Sequence, residues 1–238
     1  MASVNGHLIF NGKQRMSIRK RIAGHQIELI TFDWDGTLMD STGAIVASLQ
    51  AACRDLGIAE PSEQRALHII GLGLRDALVS AVPDLPEDRY AALAERYRYR
   101  FFSHEGLVLF PGVTALIDEL EAAGYHLAVA TGKTRRGLDR ALQESGMVGR
   151  FHATRCADEC HSKPHPQMLH ELMDEFAVAP EATLMIGDTT HDLLMAKNAG
   201  ANALAVTYGA HPRGALEAEL PVFCASSVEE LTVWLRTS

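Results

Sequence analysis

Four short runs of this chain are apolar with almost no alternation: Ile27–Phe32, His126–Thr131, Thr183–Gly187 and Asn202–Thr207. A strand that is apolar on both faces must be covered on both faces. That points to a parallel sheet between two layers of helices, not to a half-exposed antiparallel one. Helical periodicity fills the intervals at Val113–Ala123, Arg135–Ser145, Pro166–Phe176 and Asp192–Ala199. Gly124 and Gly200 follow two of these as C-terminal stops. A short strand over Val222–Ala225 and a last helix over Ser227–Arg236 complete the pattern. The predicted class is α/β, a doubly wound, Rossmann-like parallel sheet joined by right-handed crossovers.

One interval does not fit. Between Asp35 and Pro111 lie 75 residues with helical patterns at Thr42–Leu56, Ser62–Val82 (broken near Gly71–Gly73) and Glu87–His104, and no strand pattern. A complete βαβ unit needs only about 30 residues, so this is more than a crossover. The reading is an inserted helical cap over 42–108, with the α/β core formed by 27–41 and 109–238. Residues 1–26 are expected to be a basic, flexible leader.

Composition narrows function by exclusion. With 22 Lys and Arg against 30 Asp and Glu, the formal net charge is −8, which disfavours a nucleic-acid partner. No apolar run reaches the 18 or so residues of a membrane span, so no membrane partner is expected. Four cysteines in 238 residues suit a reducing compartment, and a cytoplasmic location is expected. The leader carries Lys13, Arg15, Arg19, Lys20 and Arg21. That basic, acid-poor composition is shared with organelle transit segments, but a floppy extension is the preferred reading.

In an open α/β sheet, ligands bind beyond the carboxyl ends of the strands. Polar clusters stand at those ends or in nearby loops: Asp33-Trp34-Asp35-Gly36-Thr37, Thr131-Gly132-Lys133, Ser162-Lys163-Pro164 and Gly187-Asp188-Thr189-Thr190-His191-Asp192. Gathered on one rim, they supply several carboxylates, a lysine and a hydroxyl. Clustered anions require a cation, and oxygen-only ligands favour Mg2+. The lysine would then face phosphate charge. The chemistry implied is magnesium-assisted phosphoryl transfer with a carboxylate nucleophile.

The order DWDGT, ATGK, SKPHP, GDTTHD, with a cap-sized insertion after the first motif, resembles the haloacid dehalogenase (HAD) superfamily in its phosphoglycolate phosphatase-like branch. The resemblance covers about residues 27–210. It implies that Asp33 is the nucleophile forming an aspartyl-phosphate and that Asp35 is the acid and base. It also implies that Lys163 neutralises the transferring group. Thr131 and Gly132 would hold a phosphoryl oxygen, with Gly36 and Thr37 shaping the phosphate loop. Mg2+ would be bound by Asp33, Asp188 and the backbone carbonyl of Asp35. Asp192 would stand just behind, as a further ligand or as the partner of Lys163. An acid at Asp35 favours phosphate esters over halides, since a halide leaves without a proton. The absence of lysine between Asp40 and Pro111 disfavours Schiff-base chemistry in the cap.

The expected activity is therefore hydrolysis of a small soluble phosphate monoester by a monomer or homodimer. A phosphosugar mutase, a pyrophosphatase or nucleotidase, and a non-catalytic binding protein are the alternatives on the same scaffold. Arg75, beside the Gly71–Gly73 cap loop, is a candidate substrate contact. The segment with His152, Cys156, Cys160, His161 and His165 is read as a loop leading to Lys163. It lacks the paired spacing of a zinc site. Trp34 is expected either to pack below the site or to border the substrate.

Overall fold

The computed structural model describes residues 20–104 and 106–237. The chain begins with β1 (Arg21–Ile22) and β2 (His25–Gln26), an antiparallel hairpin turned by Ala23 and Gly24 at positive φ. The end of the predicted leader is therefore structured. Lys20 is buried, its N–H donates to the Tyr125 hydroxyl (2.7 Å), and its ammonium lies over the Trp234 ring. Residues 1–19, with the rest of the basic stretch, lie outside the described residues.

β3 (Leu29–Phe32) follows, then β4 (Met39–Asp40). Four helices come next: α1 (Thr42–Asp55), α2 (Glu63–His68), α3 (Leu74–Ala81) and α4 (Tyr90–Phe102). β5 (Val108–Leu109) returns antiparallel to β4, with Met39 opposite Leu109, so the insertion leaves and re-enters at one point. Its helices bury their own cluster, including Ile45, Leu49, Ala66, Leu78 and Leu93.

The remaining elements alternate: α5 (Val113–Ala122), β6 (His126–Thr131), α6 (Arg135–Glu144), β7 (Ala153–Cys156), α7 (Gln167–Phe176), β8 (Thr183–Gly187), α8 (Thr190–Ala199), β9 (Asn202–Val206), α9 (Arg213–Ala218), β10 (Phe223–Ala225) and α10 (Val228–Arg236). The six-stranded sheet is parallel throughout, in the order β10-β9-β8-β3-β6-β7. β3 is flanked by β6 on one side and β8 on the other. The chain builds outward in both directions from it, which is the topological switch point where such sheets bind ligands.

Both faces are covered, and they are packed differently. Ile30, Phe32, Leu127, Val129, Leu184 and Ile186 meet α5 and α10. The opposite face presents Leu29, Ala128, Ala130 and Met185 to α7 and α8. The side chains named on the first face are all large, whereas the second face includes Ala128 and Ala130.

Elements beyond the sequence reading are the hairpin strands β1 and β2, the β4–β5 pair in the interval read as strandless, β7 and α9. β7 lies inside the stretch read as a loop. It has only four residues, and the middle two are half-exposed, so its apolar signal is too short to register. α9 has six residues with only Leu216 buried, which leaves no period to detect.

Candidate active site

The carboxyl end of β3 places Asp33 at the middle of the sheet, where its N–H donates to the Ile186 carbonyl (2.9 Å). Asp188 follows the end of β8, and Thr131 closes β6. Lys163 arrives from the segment between β7 and α7. Asp192 comes from the first turn of α8, where it forms a capping box with Thr189. All of these side chains are buried.

Lys163 is the hub. Its Nζ donates to Asp33 Oδ1 (2.7 Å) and Asp192 Oδ1 (2.6 Å). Burial alone would push this ammonium down, but the Asp192 and Asp33 charges outweigh it and hold Lys163 above its ordinary range. Asp192 Oδ2 accepts from Thr189 N–H and Oγ1, so both of its oxygens are occupied within the protein. One oxygen of Asp192 thus meets Lys163 and the other meets Thr189.

Asp33 is different. Its Oδ2 is buried and accepts no hydrogen bond, the only carboxylate oxygen so left among the described residues. Burial pushes this carboxyl up to about 7; the Lys163 charge pulls it back, and the Asp192 and Asp35 charges add to the rise. Asp188 is likewise held well above the carboxylate range, by burial first and then by Asp33 and Asp192. The Ala210 N–H (2.7 Å to Oδ2) and the Thr37 hydroxyl (2.8 Å to Oδ1) partly offset this.

The residues present fit a divalent metal. Asp33, Asp188 and Asp192 can each direct an oxygen to within 4.8 Å of the others, three carboxylates against one ammonium. A buried excess of negative charge with one orphaned oxygen is the environment a hard cation stabilises. Glycines make room for it: a Cβ on Gly36, whose φ is +81°, or on Gly209 would stand 2.2 Å from Asp188 Oδ2.

Asp35 lines the same cavity as Asp33, and both of its side-chain oxygens have partners. Its Oδ1 accepts from Ser41 Oγ (2.6 Å), and its Oδ2 pairs with Lys133 Nζ (2.9 Å). No side-chain oxygen of Asp35 is left unpartnered for a metal. The Thr37 hydroxyl donates to Asp188 Oδ1. Gly132 lines the cavity above Asp33 and Asp35. Trp34 is fully buried, edge-on to Phe151 (6.3 Å), so it packs below the site.

Arg75 does not reach the site. It sits on the exposed face of α3, paired with Glu87. The adjoining Gly71–Gly73 loop does reach it. Gly73 N–H donates to Ser162 Oγ (2.7 Å), and a Cβ on Gly132 would lie 2.4 Å from the Leu72 carbonyl oxygen.

Three histidines clasp the start of that loop. The Nε2 of His191 (2.8 Å) and of His211 (3.2 Å) both meet the His68 carbonyl, and His211 Nδ1 accepts from Thr190 N–H (3.1 Å). That acceptance assigns the His211 proton to Nε2, and the neutral ring makes both bonds. Lys133, Ser162 and His191 stand within the sequence motifs named above without a role of their own there, and Ser41, His68 and His211 are not singled out by the sequence.

Burial first, then His191, depresses His211 to about 4 from the ordinary 6.5. The folded state therefore binds fewer protons than the unfolded chain between those values. This contribution to stability is present above pH 6.5 and is lost as pH falls towards 4. In thermal melts, the wild type is expected to lose on the order of 2–3 kcal/mol more than His211→Gln across that window. A difference between the two that stays constant with pH would show that His211 does not carry the effect.

The haloacid dehalogenase-like hydrolase model matches residues 30–206, and the chain belongs to that family. It is an enzyme of the phosphatase type, resembling phosphoglycolate phosphatases. It is 36% identical over 211 residues to the Dickeya dadantii protein named "Probable phosphatase IndB", covering 85% of this chain and 91% of that one. A phosphoglycolate phosphatase of Vibrio parahaemolyticus is 32% identical over 216 residues, covering 86% and 94%. The crystal structure of a "predicted phosphoglycolate phosphatase" from Haemophilus somnus superposes with a TM-score of 0.77 at 25% identity, covering 86% and 96%.

Proposed function

We propose that this protein hydrolyses a small phosphate monoester, of about the size of phosphoglycolate, in a magnesium-dependent reaction through an aspartyl-phosphate on Asp33. The observation that carries this reading is the buried, unpartnered Oδ2 of Asp33, held beside Lys163 at a strand end where anions converge. In the first step an Asp33 oxygen bonds to phosphorus as the ester P–O bond breaks, and the leaving alkoxide takes a proton from Asp35. With a phosphoryl group beside it, Lys133 has a second anion to pair with, which frees Asp35 to carry that proton. In the second step water attacks phosphorus, Asp35 takes its proton, and Asp33 is released with inorganic phosphate.

Lys163 neutralises charge on the transferring group in both steps, and its contact with Asp192 fixes its position. Asp33, Asp188 and the Asp35 carbonyl would hold the Mg2+, which when bound offsets phosphoryl and carboxylate charge. Thr131 and Gly132 would hold a phosphoryl oxygen. The cap loop clasped by His191 and His211 keeps bulk water out.

The reading includes a cytoplasmic monomer or homodimer with neither a membrane nor a nucleic-acid partner. The four free cysteines support the reducing compartment in this reading, and the formal net charge of −8 disfavours a nucleic-acid partner. Release of free phosphate from small esters, including phosphoglycolate, is expected with magnesium and is expected to stop with EDTA. Transfer to a sugar phosphate without phosphate release, or activity indifferent to EDTA, would overturn the reading.

A further inference from the structure

A cavity of about 100 Å³ opens between the cap and Asp33. Its core side carries the polar groups already described. Its cap side is apolar, formed by Ile45, Leu49, Ile70, Leu78, Tyr97 and Phe101. The first four of these are buried. Tyr97 remains a neutral phenol, since burial and then the Asp35 charge push it well above its ordinary range. Two arginines lie near enough in sequence to matter. Arg75 faces solvent with Glu87, and Arg98 lines the cavity but is exposed. On the core side Lys133 is paired with Asp35, and its Nζ sits 4.8 Å from the Phe101 ring centroid.

This wall suits some leaving groups and not others. A carboxylate or polyol beyond the phosphoryl group would lose its water against Ile45, Leu49, Ile70 and Leu78, where the cap side offers only the Tyr97 hydroxyl and the exposed Arg98, while Lys133 beside Phe101 is already paired with Asp35 and Thr134 stands on the core side. An alkyl chain there gains by leaving water. An apolar cavity of about 150 Å³ holds benzene, so about 100 Å³ shared with the phosphoryl group suits a short chain of a few carbons at most.

We propose that the preferred substrates are phosphate monoesters of small apolar alcohols, favoured over acid or polyol esters such as phosphoglycolate. This rests on the phosphatase reading above and specifies its leaving group. The bonds made and broken are the same, and an aliphatic alkoxide, being strongly basic, makes the proton from Asp35 essential.

The test is the n-alkyl phosphate series from methyl to butyl, assayed with magnesium beside phosphoglycolate, glycerol 3-phosphate and p-nitrophenyl phosphate. The leaving alcohols differ little in acidity, so a trend reports contact with the chain. We expect kcat/KM to rise about fourfold per methylene, or about sixtyfold from methyl to butyl, and butyl phosphate to exceed both polar esters. A flat series, or phosphoglycolate ahead of butyl phosphate, overturns the proposal while leaving the phosphatase reading intact. No hydrolysis of any ester, p-nitrophenyl phosphate included, overturns both.

A variant gives a second measure. Leu74 lines the cavity and is only half-buried, so Leu74→Lys adds a cation to the wall at little risk to folding. The ratio of phosphoglycolate to butyl phosphate turnover is expected to rise roughly ten- to a hundredfold. Because it is a ratio, it does not depend on the folded fraction, and an unchanged ratio counts against the wall as the selector.

Discussion

Replacing Asp33 by Asn is expected to lower kcat/KM by about 10⁴- to 10⁶-fold, the range seen when a covalent nucleophile is removed. The substitution keeps the shape of the side chain but replaces a carboxylate oxygen with an amide, which cannot form the acyl phosphate. The companion expectation concerns stability, and it runs opposite to the usual effect of a core mutation. Asp33 is one of three carboxylates clustered around a single ammonium, and burial holds it up to about 7. Without divalent metal, removing one charge relieves repulsion, while Lys163 keeps its Asp192 contact (2.6 Å). The melting temperature in EDTA is therefore expected to stay level or rise. Phosphate release and thermal melts on the same preparation check both halves. Retained activity above about a hundredth of wild type would remove Asp33 from the role of nucleophile.

Lys163→Met is expected to have the opposite profile. Met approximates the length of the lysine stem and is apolar, so packing changes little. The side chain is fully buried and makes two ion pairs, at 2.7 Å to Asp33 and 2.6 Å to Asp192. Its removal leaves Asp33, Asp188 and Asp192 with no ammonium among them. Breaking a buried pair from one side costs about 3–5 kcal/mol, which for a chain of this size lowers Tm by roughly 10 °C. Excess magnesium is expected to recover part of that loss by supplying another cation, and EDTA to remove the recovery. Turnover is expected to fall by about 10³-fold even in the folded fraction, since charge on the transferring group goes uncompensated. If the variant melts like wild type in EDTA, Lys163 is not the residue holding the acidic cluster together.

Much of this site was legible because its residues sit next to strong local signals. Asp33 and Asp188 each directly follow a run of near-continuous apolar residues, and Lys163 precedes a clear helix. A buried parallel strand is marked by hydrophobicity alone, and its carboxyl end marks the ligand rim. β7 and α9 escaped because each is too short, or too sparsely buried, to show a period. Arg75 was a plausible contact from its place beside the Gly71–Gly73 loop, but the direction a helical side chain faces depends on packing. α3 turns it outward to Glu87.

What the sequence determined by itself was the layered α/β class, the acids at the strand ends and the lysine ahead of α7. These follow from periodicity and from chemistry carried by adjacent residues. Only the tertiary structure decided which oxygen of Asp33 lacks a partner, that Thr37 serves Asp188, that Lys133 holds Asp35 and that three histidines meet at the His68 carbonyl. It alone decided the apolar wall above the site, since Ile45 and Phe101 become neighbours of Asp33 through the packing of the insertion on the core. Hydrogen bonds and cavity walls join residues far apart in the chain, and no local pattern encodes which distant partner a side chain will face.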